Sequence, residues 1–250
     1  MWRSRCLALG LLSFLVAACA TTPPAPSPPR PKVRDATPEE RATIARLLVP
    51  LLITSGMWTS PADGCAAALG IISSNAINLS TGPNAQCKFS LGITEEALRV
   101  LPSDELRAGL AHEIGHVQLG HFAARKERRA AEKKARDDLG DKSTTAGAAV
   151  TAIPVIGPLL AIGVAGAHAA TESSIQSEYR AYDREEELAA DQYGQALLEL
   201  VIGRVRACEA EVAILERLVE ARGASPWSAW LNTHPRPADR LKEAKERCPR

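Results

Sequence analysis

The sequence has few aromatic side chains and almost no excess charge of either sign. Aromatic residues make up 4% of its 250 residues, and 30 basic against 29 acidic residues leave a net charge of +1. A nucleic-acid-binding surface is typically a basic patch interleaved with aromatic side chains, and the sequence contains no such patch. We therefore expect no nucleic-acid partner.

Two other features are missing. The apolar run from residue 7 to residue 18 is shorter than the roughly 20 residues that a membrane-spanning helix needs. None of the four cysteines beyond residue 60 has a histidine beside it in the sequence, so a cysteine nucleophile is not indicated. The rest of the composition, 46% hydrophobic and 24% charged, is typical of a globular protein with a sizeable core.

The N-terminus has the parts of a secretory signal. Arg3 and Arg5 precede the apolar run, and small residues end it. Val16-Ala17-Ala18-Cys19 resembles the lipobox of bacterial lipoproteins, in which the signal is cut before a cysteine that is then acylated. We predict a signal peptide at 1–18, a lipidated Cys19 and a membrane attachment through that lipid. An ordinary signal cleaved near Ala20 is the alternative.

The predicted location is the bacterial cell envelope. By analogy with enteric lipoproteins, Ala20 after the acylated cysteine favours the outer membrane, with the protein facing the periplasm. Residues 19–38 are rich in proline and poor in large apolar side chains, so we predict an extended tether there. Residues 39–250 are predicted to form one domain.

Four cysteines lie in that domain. An even number of cysteines in an oxidising compartment predicts two disulfides, although four cysteines allow three pairings. Proximity in the sequence favours Cys65 with Cys87 and Cys208 with Cys248, and free buried thiols are the alternative.

The hydrophobic pattern predicts an α+β domain that is predominantly helical. Pro38 begins a helix that ends near residues 54–56, and short apolar pieces from 65 to 91 predict a small antiparallel sheet with tight turns, one of them at 81–84. A long helix is expected from Ser103, with Ser103 or Asp104 as its cap, into the 130s. The alanine- and glycine-rich residues 146–170 are predicted to form a hairpin packed at the active site rather than a membrane span.

The long helix contains the motif HExxH. His112 and His116 lie four residues apart, so both imidazoles project from one face of a helix, with Glu113 beside them. Two imidazoles at this spacing suit a zinc ion, and the neighbouring carboxylate can take a proton from the water that the ion activates. Two histidines that share a helix face by chance are the alternative.

A catalytic zinc site needs a third protein ligand. The metzincin arrangement fails because Leu119 and Phe122 stand where its glycine and third histidine would be, and His121 is one residue out of register. A glutamate from a later helix is the other usual solution. Glu187 lies four residues before Asp191, with small residues between them, and Glu185 and Glu186 compete with it on spacing alone.

Three motifs in this order resemble those of the gluzincin peptidases of family M48, which include HtpX, the CAAX prenyl endopeptidases and a branch of bacterial envelope lipoproteins. The matching segments are Ala111–His116, Glu187–Asp191 and Thr233–Arg240. The resemblance implies a zincin-like metallopeptidase domain. Because no transmembrane helices frame the motifs in the sequence, the lipoprotein branch is favoured over enzymes that act on prenylated substrates.

The resemblance also assigns roles. It implies one Zn²⁺ per chain bound by His112, His116 and Glu187, Glu113 as the general base, and Asp191 as the hydrogen-bond partner of a ligating imidazole. His234 of the His-Pro motif is expected near the metal, either donating to the oxyanion or closing the open position, with a turn residue as the alternative. Arg240 is expected to anchor that loop through a carboxylate.

The predicted function is that of a zinc-dependent endopeptidase that cleaves unfolded or misassembled envelope proteins, with a zinc-bound water, activated by Glu113, as the nucleophile. The rival prediction is a binding module, silent in proteolysis, that holds β-rich clients in the same cleft. The sequence leaves the oligomeric state open.

Overall fold

The computed structural model describes residues 32–60, 62–151, 183–224 and 237–248, with side chains described up to residue 142 in the second range. The predicted α+β class is confirmed. The strands are β1 Val33–Arg34, β2 Cys65–Ile72, β3 Leu79–Gly82 and β4 Cys87–Thr94. The helices are α1 Pro38–Thr54, α2 Glu95–Val100, α3 Ser103–Gln118, α4 His121–Thr151, α5 over residues 183–202, α6 Arg204–Ala224 and α7 Pro237–Arg247.

The four strands form one mixed sheet in the order β1-β2-β4-β3. β1 pairs antiparallel with β2, and β3 pairs antiparallel with β4, but β2 and β4 are parallel. The prediction of an antiparallel sheet is therefore wrong for the central pair, because β4 inserts between the two strands that precede it. Thr81 and Gly82, predicted to lie in a turn, belong to β3.

The folded body begins before the predicted boundary at residue 39. Val33 and Arg34 pair with Ile72 and Ile71 of β2. The Arg34 guanidinium also contacts Glu40 at 2.8 Å. The last residues of the predicted tether are thus part of the sheet.

Helix α1 begins where its sequence predicts. Thr37 accepts a hydrogen bond from the Glu40 backbone amide, and the Glu40 side chain accepts one from the Thr37 amide, which completes a capping box. Ile44, Leu47 and Leu51 are buried on the inner face, as the helical spacing predicts.

Helix α3 differs from its prediction at both ends. Its N-cap is Pro102, without a side-chain hydrogen bond, and Asp104 instead contacts Arg107 and Arg206, each at 2.7 Å. At the other end the predicted single helix is interrupted, because Gly120 adopts a φ of 68°. Glycine at this left-handed position commonly ends a helix, so α4 begins afresh at His121.

Helices α3 and α5 pack so closely that their backbones touch. A Cβ built on Gly115 would lie 2.8 Å from the Ala190 carbonyl oxygen, and one on Gly194 would lie 2.8 Å from the His112 backbone nitrogen. Side chains at these two positions would force the helices apart. The contact brings the HExxH motif of α3 against the second motif on α5.

Two disulfides cross-link the fold. Cys65–Cys87 joins the start of β2 to the start of β4, and Cys208–Cys248 joins α6 to the residue after α7. These are the bridges of the pairing that sequence proximity favours. The second bridge fixes the C-terminal helix, which carries Arg240, to the body.

Several predicted features lie outside the described residues. They are the signal peptide, Cys19 and most of the tether, the part of the alanine- and glycine-rich segment after residue 151, and His234. Within the described ranges, no helix has the length and apolar character to cross a membrane.

Candidate metal centre

Two imidazoles and one carboxylate meet at the contact between α3 and α5. The Nε2 atoms of His112 and His116 are 3.0 Å apart. Glu187 Oε2 lies 3.4 Å from the Nε2 atom of His112, and Oε1 lies 3.3 Å from that of His116. All three side chains are buried, with exposed fractions of 5%, 1% and 0%.

This triangle fits a tetrahedral zinc ion. Zinc binds histidine nitrogen and carboxylate oxygen at about 2.0–2.2 Å, so two ligand atoms in a tetrahedral arrangement are separated by about 3.3 Å. The two Nε2 atoms are separated by 3.0 Å, and each Glu187 oxygen lies 3.3 or 3.4 Å from one of them, so these separations are near that value. Two imidazoles and a carboxylate are also a donor set that catalytic zinc sites use. Of the three glutamates that compete on spacing, Glu187 is the one in this cluster.

His112 is oriented by Asp191. Its Nδ1 atom lies 2.8 Å from Asp191 Oδ1. Since a carboxylate accepts, Nδ1 carries the proton, and in the neutral ring Nε2 keeps the lone pair that could bind a metal. Burial and the Arg240 charge lower the pKa of His112, whereas Asp191 and Glu187 raise it, and the net shift is upward. Asp191 thus occupies the position predicted for it.

Arg240 connects the carboxylates around the centre. Its Nε and Nη2 atoms donate to the two oxygens of Asp191 at 2.7 and 2.6 Å, and Nη1 lies 3.1 Å from Glu187 Oε2. Burial alone would raise the pKa of Asp191, but the charges of Arg240 and His112 hold that pKa well below its usual range. Arg240 thus contacts two carboxylates, Asp191 and Glu187, whereas the His-Pro loop that it is predicted to anchor lies outside the described residues up to Pro237.

His116 has a different partner. Its Nδ1 atom lies 2.8 Å from the Nδ1 atom of His121, which is 7% exposed. Burial lowers the pKa of His116 to about 4, and burial together with Arg125 lowers the pKa of His121 to about 4. Both rings are therefore neutral at physiological pH, and a metal ligand must be neutral imidazole.

Glu113 stands beside the triangle without belonging to it. Thr81 of β3 donates a hydrogen bond from Oγ1 to Glu113 Oε2 at 2.7 Å. A donor on one carboxylate oxygen holds the group in place. The contact also joins the edge strand of the sheet to the motif helix.

A second arginine approaches from α4. Arg125 donates to Glu187 Oε1 at 2.9 Å and to Glu186 Oε2 at 2.6 Å, and Arg128 also binds Glu186. These contacts explain why Glu186 is not in the metal cluster. The outer residues of α4 form ion pairs four apart along the helix, such as that between Lys134 and Asp138, as expected of a solvated face.

A pocket of about 450 Å³ opens beside these groups. The pocket is lined by residues 80–83 at the end of β3, by Glu113 and His116 of α3, and by Phe122 and Arg125 of α4. A reacting group in this pocket would have the carboxylate of Glu113 and the imidazole of His116 within reach.

Residues 62–248 match Peptidase family M48. The chain belongs to this family. This M48 peptidase is also 32% identical over 152 residues to a protein of Vibrio cholerae named as a beta-barrel assembly-enhancing protease. That alignment covers 60% of the chain and 29% of the relative, so the chain spans less than a third of the relative's length. The chain is thus a member of a peptidase family and contains a His-His-Glu cluster suited to a metal.

Sequence reasoning missed three contributors to this centre. The sequence pattern places Thr81 in a turn and His121 one residue out of the metzincin register, and it gives Arg125 no role at the site. Gly120, directly before His121, is the signal that a helix break would bring that histidine back. His234 lies outside the described residues, so its role stays a prediction.

Proposed function

We propose that this M48 peptidase is a zinc-dependent endopeptidase whose metal is held by His112, His116 and Glu187. The observation that carries the proposal is the buried cluster in which the two Nε2 atoms lie 3.0 Å apart and each Glu187 oxygen lies 3.3 or 3.4 Å from one of them, with Glu113 beside it. Arg240 and Arg125 each contact Glu187 and offset part of its charge in the absence of a cation.

When bound, a zinc ion lowers the pKa of a water molecule to about 7 and polarises a carbonyl. Glu113 is the general base, which takes the proton of the attacking water and returns it to the leaving amine. Thr81 orients Glu113 through its hydrogen bond at 2.7 Å. Asp191 keeps the proton on His112 Nδ1, so that Nε2 is free to bind the ion.

The substrate is proposed to bind as an extended strand along β3. This strand is the last in the sheet order, and among the described residues only one of its sides is paired, with β4. Main-chain hydrogen bonds to a sheet edge give affinity without demanding a particular sequence. Residues 80–82 of β3 also line the pocket that contains Glu113, so a strand added there would pass the catalytic group.

The proposed substrates are unfolded or misassembled proteins of the bacterial envelope. The name of the Vibrio cholerae relative supports a role near barrel assembly, and the lipobox-like N-terminus supports attachment to a membrane. The two disulfides agree with an oxidising compartment. Extended recognition through backbone atoms favours clients that have lost their fold.

The substitution Glu113→Gln tests the mechanism. The amide cannot take a proton, so cleavage of an unfolded protein such as reduced casein should fall by at least about a hundredfold. Zinc content should stay near one ion per chain, because Glu113 is not one of the three clustered donors. Zinc is measured by elemental analysis and cleavage by peptide release.

Two matched variants complete the test. Glu187→Ala should lose both zinc and cleavage, whereas Glu127→Gln, on an exposed position of α4, should retain both. Cleavage by the Glu113→Gln protein at the wild-type rate would contradict the assignment of the general base. A wild-type protein that binds no zinc would contradict the metal centre itself.

A further inference from the structure

We infer that His121 is a positioning residue that holds the His116 imidazole in the tautomer and orientation required for metal binding. The inference rests on the proposed zinc centre and extends it to the surroundings of the second ligand. Asp191 performs the equivalent task for His112, and the sequence motif supplies no carboxylate for His116.

The contact itself is short and buried. The Nδ1 atoms of His116 and His121 are 2.8 Å apart, and the two rings meet edge to face with centroids 4.9 Å apart. The exposed fractions of 1% and 7% leave both rings out of bulk solvent. A hydrogen bond at this distance in a buried site fixes a ring strongly.

The direction of the hydrogen bond follows from the metal cluster. His116 presents Nε2 to Glu187 and to the Nε2 atom of His112. If Nε2 offers its lone pair to a metal, a neutral His116 carries its proton on Nδ1 and donates it. His121 must then accept through Nδ1 and keep its own proton on Nε2. A metal-binding histidine usually donates its second N–H to a carboxylate, a carbonyl or water, and here an imidazole takes that role.

The break between α3 and α4 makes the contact possible. Five residues along one continuous helix correspond to a rotation of about 140° beyond a full turn, which would point His121 away from His116. Gly120, with a φ of 68°, separates α3 from α4, which starts at His121. The break at Gly120 therefore allows His121 to contact His116, which it could not do in one continuous helix.

Three substitutions of His121 separate this role from simple packing. Asparagine places an amide oxygen near the position of Nδ1, glutamine places it near that of Nε2, and leucine fills the space without an acceptor. The purified chain with its disulfides intact is stripped of metal, and its zinc dissociation constant is measured by competition with a chromophoric chelator. Thermal unfolding of the metal-free proteins checks that each variant folds.

We expect His121→Leu and His121→Gln to weaken zinc binding by about 10- to 100-fold, the usual cost of losing such a partner. His121→Asn should stay within about threefold of the wild type. Since asparagine and glutamine share their amide chemistry, a difference between them reports the position of the acceptor, which a packing role would not. If the leucine variant does not fold, the other two still decide.

Equal zinc affinity for the asparagine and glutamine variants would overturn the inference, and so would wild-type affinity in the leucine variant. These outcomes leave the proposed function standing, because the wild type still binds zinc in the same assay. A wild-type chain that binds no zinc would overturn the proposed function first.

Discussion

Arg240 should make a much larger contribution to stability than an arginine with the same type of ion pair at the surface. Its side chain is 3% exposed and pairs through two nitrogens with Asp191, which is also 3% exposed. Arg206 pairs through the same two nitrogens with Asp104, but the two side chains are 59% and 31% exposed. The variants Arg240→Ala and Arg206→Ala therefore compare one interaction in two environments.

The expected magnitudes differ several-fold. Removal of one partner from a buried pair typically costs about 3–5 kcal/mol, because the other charge stays buried without compensation. In Arg240→Ala both Asp191 and Glu187 lose a contact within 3.1 Å. A solvent-exposed pair is worth about 0–1 kcal/mol, which is the expected cost of Arg206→Ala. For a folded body of this size, 3–5 kcal/mol lowers the melting temperature by about 10 °C.

Denaturant unfolding of the metal-free proteins, followed by circular dichroism at neutral pH, measures both changes. Arg240→Lys adds an intermediate case, because lysine keeps the charge but cannot form the two-pronged contact with Asp191. A free energy of unfolding that falls equally in Arg240→Ala and Arg206→Ala would refute the reasoning. It would mean that the buried carboxylates do not depend on the guanidinium.

Three other predictions follow from single contacts. Thr81→Val removes the donor to Glu113, so the turnover number for a peptide substrate should fall by about tenfold or more, the cost of a hydrogen bond to a charged group. Glu211 is buried, which raises its pKa from 4.5 to about 7, so the wild type loses stability as the pH rises through that window. Glu211→Gln, which cannot ionise, should be more stable than the wild type by about 3 kcal/mol at pH 8 and equal to it near pH 4.5, as measured by denaturant unfolding. Replacement of Cys208 and Cys248 by alanine should cost about 2–4 kcal/mol and weaken zinc binding, because their bridge holds the helix of Arg240.

Each of these predictions has a matched control. Thr81→Ser keeps the hydroxyl and should keep the activity, and a loss as large as that of the valine variant would assign Thr81 a packing role. Glu209→Gln on the same helix should leave the pH dependence of stability unchanged, and a parallel change in both variants would exclude Glu211 as its source. The Cys65–Cys87 bridge lies between two paired strands, so its removal should lower stability without a comparable change in zinc affinity.

Local sequence patterns predicted the parts of the fold that depend on neighbouring residues. The start of α1 at Pro38, the buried face of that helix and the paired histidines of α3 all depend on residues within a turn or two of one another. Glu187 could be ranked first only through the resemblance, because spacing alone did not separate it from the two preceding glutamates.

Contacts between distant segments could not be predicted in the same way. β2 pairs with β4 because β3 lies on the far side of β4 rather than between the two strands. No local sequence pattern indicates this strand order. Arg125 reaches Glu187 across 62 positions of sequence. The places of Thr81 and His121 at the centre could not be predicted either. Placing Thr81 requires the correct end of β3, and placing His121 requires the correct start of α4.

The close approach of the α3 and α5 backbones at Gly115 and Gly194 determines how near His112 and His116 lie to Glu187. With hydrogen atoms in place of side chains, α3 and α5 approach until carbonyl and amide groups touch, and the imidazoles reach the carboxylate at distances suited to a small divalent ion. An alanine at either position would place its Cβ 2.8 Å from a backbone atom of the other helix, so the two helices that carry the three donors would have to separate. Two residues that supply no ligand atom thus govern how closely the three candidate ligands can approach one another.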